Sequence, residues 1–395
     1  MTHALTLNAG SSSLKFGLFE LGADDPALIA SGKADRVGGD ATLTLKDAAG
    51  AKLIDAAAIP AEGVVDHHEA LAAALKALLD HFPVAQINTV GHRVVHGGLD
   101  HSGPAVLTPG IIDKLSQLSP FAPLHQPHNL AGVRAAMAAF PKAVQVACFD
   151  TAFHRHHPFV NDVFALPREY YDKGVRRYGF HGLSYDYISG ELARIAPDLH
   201  AGRVVVAHLG NGASMCGMRG GRSVASSMGF SALDGLPMGT RTGQLDPGVL
   251  LYLLQQEGLS VEQIITLLYK KSGLLGLSGI SHDMRTLEAS DSEAAQQAIA
   301  YYTFRARREL GGLAAALEGL DGVVFCGGIG ENSRLIRERI CDGLHWIGIE
   351  IDDDANAANA PVISRQNAPV KVMVIPTNEE LVIARACATL GKRGA

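Results

Sequence analysis

Near the start of the chain, two apolar runs flank a short polar turn: Leu5-Thr6-Leu7-Asn8-Ala9 passes through Gly10-Ser11-Ser12-Ser13 into Leu14-Lys15-Phe16-Gly17-Leu18-Phe19. β-Compatible bulk on both sides of a Gly-Ser turn predicts a hairpin. The pattern then predicts an alanine- and leucine-rich helix near residues 68 to 82, a strand at Ile87 to Val90, and a helix over 128 to 140. A buried strand, Ala143 to Cys148, ends at Phe149-Asp150. From about residue 151 the order restarts. Arg203 to Ala207 reads as a strand, a glycine turn follows, and Ser214 to Met218 returns as a second strand. Helices fill 247 to 270 and 292 to 318, and Val323 to Cys326 enters a glycine turn leading into a helix through Arg334 to Ile340. Each half therefore offers a strand, a glycine-bearing turn and a strand, a sign of internal duplication.

At 395 residues the chain exceeds what one hydrophobic core usually supports, so two domains are expected. The boundaries place residues 1–150 with 379–395 in the first domain and 151–378 in the second. A net charge of −6 argues against a nucleic-acid partner. No apolar run approaches the roughly 18 residues that span a bilayer, and Met1-Thr2-His3-Ala4 lacks the character of a signal peptide. The expected location is cytoplasmic. Five scattered cysteines without a C-x-x-C pair read as free thiols.

The first hairpin has the form of a phosphate grip. Backbone amides, the Ser11, Ser12 and Ser13 hydroxyls and the Lys15 charge suit an anion, and Asn8 offers an amide toward a metal or its waters. A Walker A loop is excluded because its Gly-to-Gly-Lys spacing is longer and opens a helix. Ser12-x-x-Lys15 also matches an acyl-serine nucleophile, but that serine starts a helix, whereas this segment continues as a strand. His208-Leu209-Gly210-Asn211-Gly212 and Gly327-Gly328-Ile329-Gly330-Glu331-Asn332 read as further grips. Neither is a dinucleotide fingerprint, since Met215 and Ser333 stand where its third glycine belongs. Arg93 and Arg241 lie in glycine-rich settings with little competing acid nearby in sequence, and a guanidinium suits carboxylate and phosphoryl oxygens. A salt bridge is the alternative reading for either. With Asp150-Thr151-Ala152-Phe153-His154 and Tyr178-Gly179-Phe180-His181-Gly182, they suggest phosphate transfer to a small acid. His154-Arg155-His156-His157 invites a zinc reading, but no ligand spacing completes it.

These residues resemble the acetate kinase family along nearly the whole chain. Asn8 to Lys15, Gly91 to Gly98, Phe149 to His154, Arg177 to Gly182, His208 to Ser214, Met238 to Arg241, Gly328 to Ser333 and Pro376 to Leu381 fall in the family's order. The resemblance implies an α/β fold of two duplicated actin-like (Hsp70-like, ribonuclease H-like) domains, with the nucleotide in the cleft between them and domain closure over it. It implies reversible transfer of the ATP γ-phosphoryl group to acetate, giving acetyl phosphate and ADP, with magnesium required and manganese as a substitute.

The implied roles follow residue by residue. Arg93 and Arg241 bind the acid and neutralise the phosphoryl oxygens, His181 donates to the same group, and Asp150 orients or activates. Asn8 and Glu379 take the metal, with Glu380 the alternative acid. The nucleotide lies against Lys15, His208, Leu209, Gly210, Asn211, Gly212, Asp283, Met284, Arg285, Gly328, Ile329, Gly330, Glu331 and Asn332. Met284 departs from the family's frequent aromatic. Val95, Leu124, Phe180 and Ala232 line the acid's apolar tail, with Ala232 replacing a frequent proline. A homodimer through the second domain is implied too. Propionate kinase is the near alternative; a sugar kinase and a non-enzymatic actin-like module are more distant ones.

Overall fold

A computed structural model describes residues 2–10, 13–60, 65–83, 86–123 and 125–393. Ser11, Ser12 and Leu124 lie outside the described residues. The chain divides into two units, Met1–Arg155 with Asn378–Ala395, and His156–Thr377.

In the first unit, β1 (Thr2–Ala9) and β2 (Ser13–Leu21) form the expected hairpin, with Asn8 opposite Lys15. β3 (Ala27–Asp35), β4 (Thr42–Asp47) and β5 (Lys52–Ala58) continue antiparallel. On the other side β6 (Ile87–Val94) runs parallel to β1, followed by β8 (Val144–Phe149), also parallel, and the short β7 (Ala105–Val106). Burial follows position in this sheet. Central β1 is covered on both faces, whereas edge strand β5 is largely exposed and carries the Lys52–Asp55 ion pair. The helix His67–His81, closed by a capping box between Asp66 and Glu69, adds Leu71, Ala74 and Leu78 to a core with Leu5, Phe16, Leu18 and Leu45.

The C-terminal helix, Glu379–Leu390, packs on β1, β6 and β8. Gly91 permits that approach, because a Cβ there would lie 2.3 Å from Ile383 Cγ2 and 2.6 Å from Cys387 Sγ. β6 runs four residues beyond the expected strand. Arg93 therefore stands on a strand near its carboxyl end.

The second unit repeats the scheme on its own sheet. β9 (Arg203–Leu209) and β10 (Ala213–Arg219) make a hairpin, β11 (Arg222–Ser226) extends it antiparallel, and β12 (Gly322–Cys326) and β13 (Lys371–Val374) add parallel strands beside β9. The order β11-β10-β9-β12-β13 matches β3-β2-β1-β6-β8 of the first sheet in sequence and sense. The long helix Glu293–Ala316 lays Ala295, Ala298, Ile299, Tyr302, Ala306, Leu310 and Leu313 on the core at helical spacing.

Two expectations change here. The helical region 247–270 is two helices, Pro247–Gln255 and Val261–Lys270, because Gly258 at φ +65 ends the first and Ser260 caps the second. Gly327–Asn332 is no open turn but a short helix starting directly at the end of β12, with Arg334–Cys341 following as a separate helix. No helix among the described residues is long and apolar enough to cross a membrane.

Candidate active site

In the first unit, parallel β6 and β8 pair Arg93 with Cys148, so Arg93 and Asp150 emerge at one carboxyl edge. Arg93 Nε donates to Asp150 Oδ1 at 2.8 Å and Nη2 to Oδ2 at 2.7 Å, a bidentate grip. Arg93 Nη1 donates to Asn8 Oδ1 at 3.2 Å and lies 3.5 Å from Glu379 Oε2, while Asn8 Nδ2 donates to the same Glu379 oxygen at 3.2 Å. Little competing acid stands near Arg93 in sequence, yet acids from distant parts of the chain surround it. Burial opposes its charge, but Asp150, Glu379 and Glu380 outweigh that and push the guanidinium above its ordinary pKa. Three hydrogen bonds and the Glu379 contact engage all three of its nitrogens.

Residues that sequence reasoning missed hold this edge. Asn129 donates to Ala9 O at 2.8 Å and accepts from Val95 N at 3.0 Å, tying the hairpin to the segment after β6. Gln126, fully buried, accepts from His96 N and donates to His96 O and Leu115 O. Their signal was two amides in the first turn of an alanine-rich helix. Ser13 returns a carbonyl to Gly10 N at 2.7 Å. Lys15 lines an open groove of about 480 Å³ with Lys33, Lys46, Asp35 and Glu380. Of the two neighbouring glutamates, Glu379 therefore reaches Asn8 and Glu380 does not share that contact.

In the second unit, β10 places Ser214 opposite His208, and parallel β12 places Cys326 on the other side of His208. Gly210 N donates to Gly212 O at 3.0 Å, closing the expected turn. A Cβ on Gly210 would lie 3.9 Å from Gly328 N, so two of the predicted grips adjoin. The short helix contributes less side-chain chemistry than expected. Glu331 is committed inward, where its Oε1 accepts from Gly327 N at 2.8 Å and Thr377 N at 3.1 Å, and Asn332 Nδ2 donates to Gly328 O.

Arg337, missed from sequence, is fully buried and donates Nη1 to Gly330 O and Glu331 O and its other nitrogens to Asn356 Oδ1 and O. It satisfies the carbonyl end of that helix, although burial lowers its pKa.

His181 caps the helix Gly182–Ile195 from a left-handed conformation, φ +58. Its ring stacks on His208 with centroids 4.4 Å apart. A Cβ on Gly212 would lie 3.3 Å from His181 Nε2 and 3.8 Å from Arg241 Nη2, so the bare face of this glycine is flanked by an imidazole and a guanidinium. Arg241 Nη1 donates to Ala232 O at 3.1 Å and lies 3.5 Å from Met238 Sδ. The loop carrying it is closed by Met238 N donating to Arg241 O and Gly239 N donating to Asn211 O. Gly273, at φ +62, packs beneath it, for a Cβ there would come 2.1 Å from Met238 O.

The remaining predicted residues are placed as follows. Asp283 and Arg285 pair with each other at 2.6 Å, and that hydrogen bond holds Asp283 below the usual carboxylate range. Met284 turns inward with 3% of its surface exposed, so its side chain is core and not a face for a base. Phe180 is buried at 2% in the second unit and Val95 at 8% in the first. Leu209 is buried, and Ile329 lies on the short helix. Chemically, the first unit presents a charge-locked arginine beside an amide–carboxylate pair, and the second a bare glycine flanked by an imidazole and a guanidinium, a setting suited to phosphoryl oxygens.

The profile described as the acetokinase family matches residues 3–385. An acetate kinase from Methylocella silvestris is 59% identical over 387 residues, covering 96% of each chain. Among solved structures, the acetate kinase of Porphyromonas gingivalis is 38% identical with a TM-score of 0.86, over 99% of this chain and 100% of that one. A propionate kinase from Francisella tularensis is 34% identical with a TM-score of 0.89, over 98% and 99%.

Proposed function

The chain belongs to the acetokinase family, a set of kinases of the actin-like fold that phosphorylate a carboxylate, and on that premise we propose that its acceptor is acetate, giving acetyl phosphate and ADP from ATP. The observation that carries the reading is the pair of donors, His181 and Arg241, flanking the bare face of Gly212. A carboxylate acceptor is ionised at neutral pH, so the reaction needs no strong general base. Positioning and charge stabilisation supply the rate.

In this mechanism Arg241 and His181 bond the equatorial phosphoryl oxygens, and Arg93 is assigned to the carboxylate of the acid. Asp150 orients Arg93 and does not take a proton. The second turn and the short helix after β12 hold the nucleotide phosphates through backbone amides, with Lys15 adding charge. Glu379 offers a hard carboxylate oxygen that would suit a magnesium or manganese ion, and Asn8, whose Oδ1 accepts from Arg93 and whose Nδ2 donates to Glu379, would meet the ion through one of its waters, since such an ion takes its other ligands from water and phosphate. When bound, the ion neutralises charge on the β- and γ-phosphate oxygens.

The apolar residues assigned to line the methyl group are Val95 in the first unit and Phe180 and Ala232 in the second. One methylene is worth only about 1 to 3 kcal/mol in such a pocket, and alanine at 232 leaves room, so propionate is the second acceptor to test. The test is the rate of hydroxylamine-trapped acyl phosphate formation with formate, acetate, propionate, butyrate and glycerol. Acetate with the highest kcat/KM supports the proposal, a shift to propionate transfers it to that acid, and ATP turnover independent of any acid overturns it.

The protein acts as a cytoplasmic homodimer in this reading. The helix Pro247–Gln255 buries none of its residues and exposes Val249, Leu251, Tyr252 and Leu254, apolar surface that a second copy would cover. Leu251→Glu should convert a dimer to a monomer in light scattering; a monomeric parent protein removes the proposal.

A further inference from the structure

Behind the His181 ring lies a chain of hydroxyls. His181 Nδ1 is 2.8 Å from Ser214 Oγ, which is 2.5 Å from Tyr185 OH, and Ser214 and Tyr185 are fully buried. Tyr185 sits one helical turn after His181, and β10 brings Ser214 to the same place. Each hydroxyl has one proton to give. A phenol is the better donor and the poorer acceptor of the two, so Tyr185 donates to Ser214. Burial holds Tyr185 well above its ordinary pKa, with Cys216 adding to the effect, which keeps that proton in place. The Ser214 proton then faces the lone pair of an imidazole nitrogen.

Resting on the reading of His181 as a phosphoryl donor, we propose that Tyr185 and Ser214 are positioning residues that direct the protons along this chain and keep the His181 proton on Nε2. The nitrogen beside Gly212 then carries N–H and can donate to an anion. The reverse tautomer would present a lone pair there and repel it. His208 has its own hydroxyl partners, with Nδ1 2.8 Å from Ser184 Oγ and Ser184 2.8 Å from Thr377 Oγ1.

The test is nitrogen-15 NMR of histidine-labelled protein, with the His181 signals assigned by their loss in His181→Gln. The expected parent spectrum shows His181 wholly as the Nε2–H tautomer. Ser214→Ala should introduce the Nδ1–H form and lower kcat about 10- to 100-fold with KM for ATP and acetate within about twofold. Ser214→Thr should restore both readouts. Ser184→Ala should alter His208 signals alone. Tyr185→Phe, which removes a single oxygen, gives the same test should Ser214→Ala not fold. An Nδ1–H parent, or a His181 signature unchanged in both Ser214→Ala and Tyr185→Phe, overturns the proposal. Full activity in His181→Ala with the expected tautomer would instead remove His181 from the reaction while leaving the hydroxyl chain intact.

Discussion

The two units build their functional edges from the same strand scheme but hold them by different forces. In the first, Arg93 is held by charge, through a bidentate Asp150 and a nearby Glu379. In the second, Arg241 donates to a backbone carbonyl, its loop rests on Gly273, and buried Arg337 is satisfied by three carbonyls and an amide oxygen. A duplicated fold therefore preserves where an edge lies without preserving how it is held. Strand order sets the location, and the side chains that reach it set the force.

The largest expected effect separates chemistry from holding. Arg241→Ala should lower turnover roughly 10³-fold or more while leaving the urea midpoint nearly unchanged, and near-parental turnover would remove Arg241 from the mechanism. Asp150→Ala should act on both. Leaving a largely buried guanidinium without its carboxylate costs about 3 kcal/mol in equilibrium unfolding, because its desolvation is no longer offset, and a loss below about 1 kcal/mol would mean that charge does not hold this edge.

Acid should sharpen the contrast further. His92 is fully buried and held near a pKa of about 4 by burial, against an ordinary 6.5, with Gln145 accepting its Nε2–H. Between pH 6.5 and 4 the unfolded chain takes a proton that the folded chain refuses, so stability is complete above that window and falls through it by about 3 kcal/mol. His92→Gln should reduce that slope in urea midpoints, leaving the share of buried His96, whose pKa burial lowers to about 3. In the second unit burial, aided by Asp234, raises the Glu309 pKa, a shift of opposite sign that favours the folded state as pH falls. The smallest effect is Arg337→Met, about 2 kcal/mol from carbonyls left without donors, with a raised KM for ATP as its functional signature. An unchanged KM would separate Arg337 from the nucleotide turn.

Legibility followed the range of the forces. The hairpins, the glycine turn at 208–212 and the long helix were readable because their periodicity and turn chemistry are local. The stretch 327–332 misled, since its glycines look like a loop, whereas Glu331 caps its amides and Arg337 binds its carbonyls, making a helix of it. Arg93 misled in another way. Its acids lie 57 residues on and at the far end of the chain.

By itself the sequence determined the α/β class, the repeated strand–turn–strand units, the family, and which residues carry charge and hydroxyls. Tertiary structure alone decided which partners those residues meet: Asp150 and Glu379 at Arg93, Asn129 between hairpin and strand end, and Ser214 and Tyr185 behind His181. Secondary structure arises from interactions a few residues apart, whereas hydrogen-bond and ion partners depend on where separate strands and helices end once the core is packed.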